Sequence, residues 1–188
     1  AGGVCTALGL NNGVVPWRTL GLVQNDVIDA WGALVTYKVW GVTATALTAN
    51  DGLDMSGLNP TVSPVVLNWL SVRGFRLCRA TPCAPGSASE LASKATGNGI
   101  AYFLISHGPN KVGAYLPGGT FSGAASGAGP GPLENINRNN LALRTISPND
   151  FYVDALFDEN PASYYDDLVL HPSIIKVASD AGLQPKNP

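Results

Sequence analysis

The sequence predicts an α+β fold: an antiparallel β-sheet with short helices and long loops. Three observations predict it. Gly supplies 22 of 188 residues, well above the usual share of about 7%, which implies many tight turns. Charged residues make up 13%, about half of the roughly 25% typical of soluble proteins. The apolar segments are short, and most connections between them are too small for parallel βαβ crossovers. A hydrophobic fraction of 45% suffices for a core, and the length predicts a single domain spanning residues 1–188.

Residues 1–14 are Gly- and Asn-rich, uncharged and aperiodic, and predict a loop. They lack the basic start and apolar stretch of a signal peptide. Residues 15–22 predict a compact apolar turn, and Asp29-Ala30-Trp31-Gly32 a second turn. A strand follows over 34–40. Leu34, Thr36, Lys38 and Trp40 share one of its faces, and Val35, Tyr37 and Val39 share the other, cleaner apolar face. Residues 41–64 are turn-rich, with Asn50-Asp51-Gly52 and Asn59-Pro60 as breakers. Residues 65–78 are partly β-branched and predict one or two strands. Ser87-Ala88-Ser89-Glu90 has capping-box spacing and predicts a short helix over 88–95, stopped by Gly97. Residues 99–106 form the clearest strand, apolar enough to be central and covered on both faces. A turn over 107–111 leads to a hairpin return over 112–116. Residues 117–133 are Gly- and Pro-rich and predict an irregular loop. Residues 134–150 are polar and Asn-rich. A last strand over 164–171 and a short helix over 173–182 close the chain.

Cys78 and Cys83 flank a loop that Pro82 can bend. A disulfide, two free thiols and half of a zinc site all fit that spacing, although zinc would have to draw on Cys5, His107 and His171, which show no paired spacing. A disulfide would imply an oxidising compartment and leave Cys5 unpaired or bonded outside this chain segment. The net charge of −2 and the scatter of Lys and Arg argue against nucleic acid as a partner. No apolar run approaches the roughly 18 residues of a membrane span.

No catalytic residues are predicted, so the chain reads as a non-enzyme. Gly123-Ala124-Ala125-Ser126-Gly127 has the wrong spacing for a nucleophile elbow. Ser106 and His107 are adjacent and point to opposite faces of a strand. No phosphate-binding loop is present. His107 and His171 read as turn residues ending strands. Asp158, Glu159, Asp166 and Asp167 form a candidate calcium cluster, with Asp166-Asp167 alternatively a solvated strand start. Asn50-Asp51-Gly52-Leu53-Asp54 is a second oxygen-rich turn, lacking the rest of a calcium loop. No other cofactor is expected. Gly118, Gly119 and Phe121 mark a candidate binding loop. The four Trp and six Tyr read first as core and second as sugar- or surface-binding groups.

Several segments, in order, resemble one family. They are Val15-Pro16-Trp17-Arg18-Thr19-Leu20-Gly21-Leu22; Asp29-Ala30-Trp31-Gly32, followed by Leu34-Val35-Thr36-Tyr37-Lys38-Val39; Ala101 to Gly113, with Ser106-His107-Gly108-Pro109-Asn110 at its turn; Glu134-Asn135-Ile136-Asn137; and Asp166-Asp167-Leu168-Val169. Together they look like the globular part of type IV pilin-like proteins: minor pilins and type II secretion pseudopilins with a prepilin-type N-terminus. The resemblance implies a pilin-like globular domain lacking its N-terminal helix. It implies a structural or assembly subunit of a type IV pilus or pseudopilus, in the periplasm or at the bacterial surface. Its partners would be other pilin or pseudopilin subunits, and its membrane contact only the helix ahead of Ala1. A Gly-Phe-x-x-x-Glu cleavage site and an apolar helix would precede this segment. The sheet would carry an apolar face for that helix, and Cys5 would find its partner there. The alternative is a pilin-like surface adhesin that binds glycan, lipid or a solid surface through 117–133.

Overall fold

The computed structural model describes residues 12–42, 44–122, 131–142 and 151–186. Residues 1–11, with Cys5, and residues 123–130 and 143–150 lie outside the described residues. The elements are β1 (Asn12–Val14), β2 (Thr36–Val39), α1 (Val65–Leu70), β3 (Arg76–Cys78), β4 (Glu90–Ala92), β5 (Tyr102–Ser106), α2 (Pro132–Ala142), β6 (Phe151–Val153), β7 (Leu168–Leu170) and α3 (Ile174–Asp180). The fold is α+β, as predicted.

Two sheets form the frame. One is antiparallel, in the order β1-β2-β5-β7; the other has the order β4-β3-β6. In the second sheet β3 pairs antiparallel with β4 but parallel with β6. The expectation of a purely antiparallel chain is corrected there. The long excursion between Cys78 and Phe151, which contains α2, supplies the crossover that a parallel pair requires.

The main core lies between the sheets. Trp40, Phe75, Phe103 and Tyr152 meet with ring centroids 4.2 to 5.5 Å apart, edge-on or tilted. All four are buried, with Leu77, Ile100 and Ile105 around them. This arrangement suits the ring quadrupoles and fixes one sheet against the other. A second cluster gathers Met55, Leu70, Ile174 and Ala178 beside α1 and α3. A third packs Val15, Trp17, Val27 and Leu34 under the chain entering β2.

Tertiary packing overrides several local signals. Residues 65–70 form helix α1 rather than a strand, because Val66, Trp69 and Leu70 fall at i, i+3 and i+4 and meet the second cluster together. The predicted helix over 88–95 is instead strand β4 followed by a 3-10 turn at Lys94–Thr96, which Gly97 does end in a left-handed conformation. Glu90 is drawn away from a capping role: it accepts from the Gly86 amide at 2.8 Å and faces Arg76 at 3.3 Å. The expected hairpin return over 112–116 is absent; Tyr115 instead bridges Leu34 and Phe121. Within the expected opening loop, residues 12–14 form β1. The last strand is shorter than expected, and α3 lies within its predicted range, with Ser173 accepting from the Lys176 amide as its N-cap.

β2 presents its two faces in an unexpected sense. Thr36 and Lys38 are buried, together with Trp40 just beyond the strand. The cleaner apolar face, with Val35, Tyr37 and Val39, is half-buried, and Val35 and Tyr37 pack against the third cluster. β5 repeats this alternation: Phe103 and Ile105 are buried, while Tyr102, Leu104 and Ser106 are half-buried. Its second face is partly covered: Leu104 packs against the third cluster and Tyr102 against the second. The register aligns Tyr37, Leu104 and Leu170 in a row across three strands of this face. At its β7 end, Leu168 and Leu170 are 60% and 56% exposed. An open groove of about 480 Å³ runs there, lined by Val35, Leu104, Phe157 and residues 166–170.

Candidate functional site

Three sequence-distant segments converge at one end of the sandwich: the turn after β5, the first turns of α2, and the lead into β7. Pro132 opens α2, where its missing amide hydrogen costs nothing, and Glu134 sits in the first turn, where the helix dipole favours an acid. The buried positions of this helix include Glu134 and Asn137. Both are polar, three residues apart, and so on one face.

Asn137 binds the edge of β6. Its Oδ1 accepts from the Val153 amide at 2.8 Å, and its Nδ2 donates to the Val153 carbonyl at 2.9 Å. The same amide donates to Asp167 Oδ2 at 2.9 Å. The Tyr165 hydroxyl also donates to the Val153 carbonyl, at 2.7 Å. Burial and then the nearby Asp167 charge push the Tyr165 phenol well up from its ordinary range.

Glu134 binds the turn and the lead into β7. Asn110 Nδ2 donates to both its oxygens, at 3.1 and 2.9 Å, and the Asp166 amide donates to Oε1 at 2.9 Å. Burial first, then the neighbouring Asp166 carboxyl, pushes the Glu134 carboxyl up to about 8. Asp166 Oδ2 accepts from the Asn110 amide at 3.2 Å and from the Tyr164 hydroxyl at 3.0 Å. Its other oxygen, Oδ1, is buried without a hydrogen-bond partner. Burial, then Asp166, raises the Tyr164 phenol to about 12. Gly108 lets the turn approach this closely. Its φ is +58°, and a Cβ there would lie 2.5 Å from Asp166 Cγ and 2.6 Å from the Asp166 carbonyl oxygen.

His107 is a buried hub, not the turn residue that the sequence suggested. Its Nε2 lies 3.0 Å from Thr36 Oγ1 and its Nδ1 lies 3.2 Å from Asp167 Oδ1. Hydroxyl, imidazole and carboxylate thus stand in line. Thr36 and His107 are 2% and 1% exposed, however, and neither lines the groove. The line ties β2, the end of β5 and the lead into β7 together. Ser106 points the other way, as alternation requires, and donates to Asp29 Oδ2 at 2.7 Å.

The candidate calcium cluster is divided by the fold. Asp166 and Asp167 are buried and join Glu134, with ligand atoms of all three within 4.8 Å of one another. Asp158 and Glu159 do not join that group. Asp158 serves its own loop, where Ser163 Oγ at 2.6 Å and the Asn160 amide at 2.9 Å donate to it and hold its carboxyl below the usual range. Asp54, in the second oxygen-rich turn, accepts from the Ser56 amide at 2.8 Å. His171 pairs with Asp154 at 3.0 Å, which raises its pKa.

Cys78 and Cys83 form a disulfide across a Cα separation of 6.2 Å, which resolves the three readings of that pair. Gly118 and Gly119 sit in a tight turn closed by Leu116 and Thr120, and Phe121 packs on Tyr115 at 5.0 Å. That loop stands apart from the acidic cluster in its hydrogen bonding. Glu134, Asn137, Asn110 and His107 were not predicted as site residues. The only signal for them lay in short polar motifs whose convergence no local pattern reveals. Among the described residues, no helix is long and apolar enough to cross a membrane. Comparison of the chain with protein-family models, curated proteins and solved structures finds no match.

Proposed function

We propose that this chain is the globular domain of a pilin-like subunit that assembles into a type IV pilus or a type II secretion pseudopilus. The observation that carries the reading is the exposed apolar pair Leu168 and Leu170 on β7, which continues the half-buried row of Leu104 and Tyr37. A long apolar helix needs a sheet face of this kind to lie on, and uncovered apolar patches mark interaction surfaces. Three of the segments that carry the resemblance also form one bonded unit: His107, Asn110, Glu134, Asn137, Asp166 and Asp167 all belong to it. In this reading the domain has a structural role and no catalytic one. It works in the periplasm or at the cell surface, which agrees with the Cys78–Cys83 disulfide. Other subunits are its partners, nucleic acid is not, and the membrane is met only through the N-terminal helix.

The test is the double substitution Leu168→Asp with Leu170→Asp in the natural full-length polypeptide. Both side chains are more than half exposed, so the isolated domain should keep its melting temperature. Incorporation into filaments should fall to background. Normal incorporation of the folded variant would contradict the reading.

The alternative, a surface-binding module, is favoured by one observation: Phe121 is 42% exposed on a tight turn beside Tyr115. Phe121→Ala should then abolish retention on glycan, lipid or mineral surfaces while leaving assembly intact. Unchanged retention would remove this reading.

A further inference from the structure

The groove has two walls of different make. One is β7, hydrogen-bonded into its sheet. The other is the chain that leaves β6, with Ala155 and Phe157 on the groove. This chain is fixed at both ends. The Asp154 amide donates to the Cys78 carbonyl at 2.8 Å, and Asp158 exchanges two 3.0 Å backbone bonds with Tyr165. Between them, residues 155–157 make no backbone–backbone hydrogen bond. Ala155 is tied by its backbone to the Tyr165 hydroxyl, while Leu156 and Phe157 are 90% and 63% exposed. A segment with so few ties opens locally at little cost.

One side-chain pair joins this strap to the opposite wall. His171, just after β7, places Nε2 3.0 Å from Asp154 Oδ2. We propose that the His171–Asp154 pair is a pH-sensitive clasp, holding the strap 155–157 beside β7 when the imidazole is charged and loosening it when the imidazole is neutral. A charge-assisted bond is about twice as strong as a neutral one, so loss of the proton weakens this tie directly. The two side chains are 33% and 36% exposed, so the pair contributes little to global stability. Its effect is local, on the strap and on the width of the apolar groove. The bond to Asp154 raises the His171 pKa above the ordinary 6.5, against an opposing effect of burial. The clasp is therefore complete below 6.5 and is lost as pH rises through the higher folded value.

Asp154 is the charge that acts on His171. Of the neighbouring elements, β5 brings the Tyr102 phenol and no charge, and β7 brings none. On α3, Lys176 is bonded to Asp180 at 2.6 Å. On β3, Arg76 pairs with Glu90, and Arg79 just beyond it is exposed. Asp166 and Asp167 on the lead into β7 are held by Tyr164 and Asn137. His107 is enclosed between Thr36 and Asp167 and does not line the groove.

This clasp is independent of the pilin reading and is tested without it, by NMR of the chain between about pH 5.5 and about pH 8.5. The His171 imidazole should titrate above 6.5, and Asp154→Asn should bring its midpoint back toward that value. Amide order parameters of Leu156 and Phe157 should stand near the rigid value of about 0.85 in acid and fall toward about 0.6 through the same midpoint. His171→Gln, which cannot titrate, should hold them low at every pH, whereas Glu134→Gln should leave their pH dependence unchanged. A His171 midpoint at or below 6.5 would overturn the clasp. So would strap order that stays constant while His171 titrates, or a pH dependence that survives His171→Gln. The unaltered chain alone decides the first two outcomes, whatever the variants do to folding.

Discussion

The side chain of Asn137 treats Val153 as a neighbouring strand would, accepting from its amide at 2.8 Å and donating to its carbonyl at 2.9 Å. β6 is the edge of its sheet, and this amide completes its outer hydrogen bonds from helix α2. Asn137→Leu keeps much of the volume but leaves the Val153 amide and Asp167 Oδ2 short of a partner. Removing a partner from buried polar groups costs about 1–3 kcal/mol each, so the variant should lose about 2–6 kcal/mol. Urea unfolding measures it; a loss below about 1 kcal/mol would show that the Asn137 bonds are dispensable.

Gly108→Ala should be more costly than its size suggests. The new Cβ would meet both the carboxyl carbon and the backbone carbonyl of Asp166, and φ is +58°. Gly118→Ala is the control, since its φ is +101° but nothing lies within 4 Å. Strain alone costs on the order of 1–3 kcal/mol, and Gly108→Ala should exceed Gly118→Ala by at least about 1 kcal/mol in urea unfolding. Equal costs would mean that the turn and Asp166 do not need to be this close.

Stability should fall as pH rises. Folded Glu134 keeps its proton until about pH 8, while the unfolded chain releases it near the ordinary value of 4.5. Between those values the folded state binds more protons, so each step up in pH favours unfolding. The urea midpoint should therefore be higher at about pH 5.5 than at about pH 8, and Glu134→Gln should flatten that slope. A slope unchanged by Glu134→Gln would place the titration elsewhere.

The Cys78–Cys83 bond closes a short loop, which Arg76 Nη1 also anchors through the Cys83 carbonyl at 3.0 Å. A loop of this length gives about 2 kcal/mol in the chain-entropy account. Cys78→Ser with Cys83→Ser should lose about that much in denaturant. A loss near zero would mean that the hydrogen bond alone sets the loop.

The fold class was legible because turn residues and low charge are statements about the whole chain. Individual elements were legible where side chains and packing agreed, as in β5 and α3. They failed where a distant partner decided. Glu90 fits a capping box by spacing, yet Arg76 and the β3 ladder claim its segment. α2 was hidden because polar Glu134 and Asn137 lie on its inward face, so hydrophobic periodicity gives no signal there. For β2, alternation identified both faces, but the apolar one is half-buried and the one with Thr36 and Lys38 faces the core. Of the candidate cluster, Asp166 and Asp167 were legible as an adjacent acidic pair. Their third partner, Glu134, lies 32 positions from Asp166 and arrives only through tertiary structure.

The central claim is that an apolar helix from the same polypeptide covers the Tyr37–Leu104–Leu170 row. The most direct measurement is the N-terminal sequence of the native protein purified from its source, read together with its intact mass. The account predicts a mature chain that extends ahead of Ala1 through a prepilin-type start and a long apolar helix. A mature chain that carries no such helix ahead of Ala1 would contradict it.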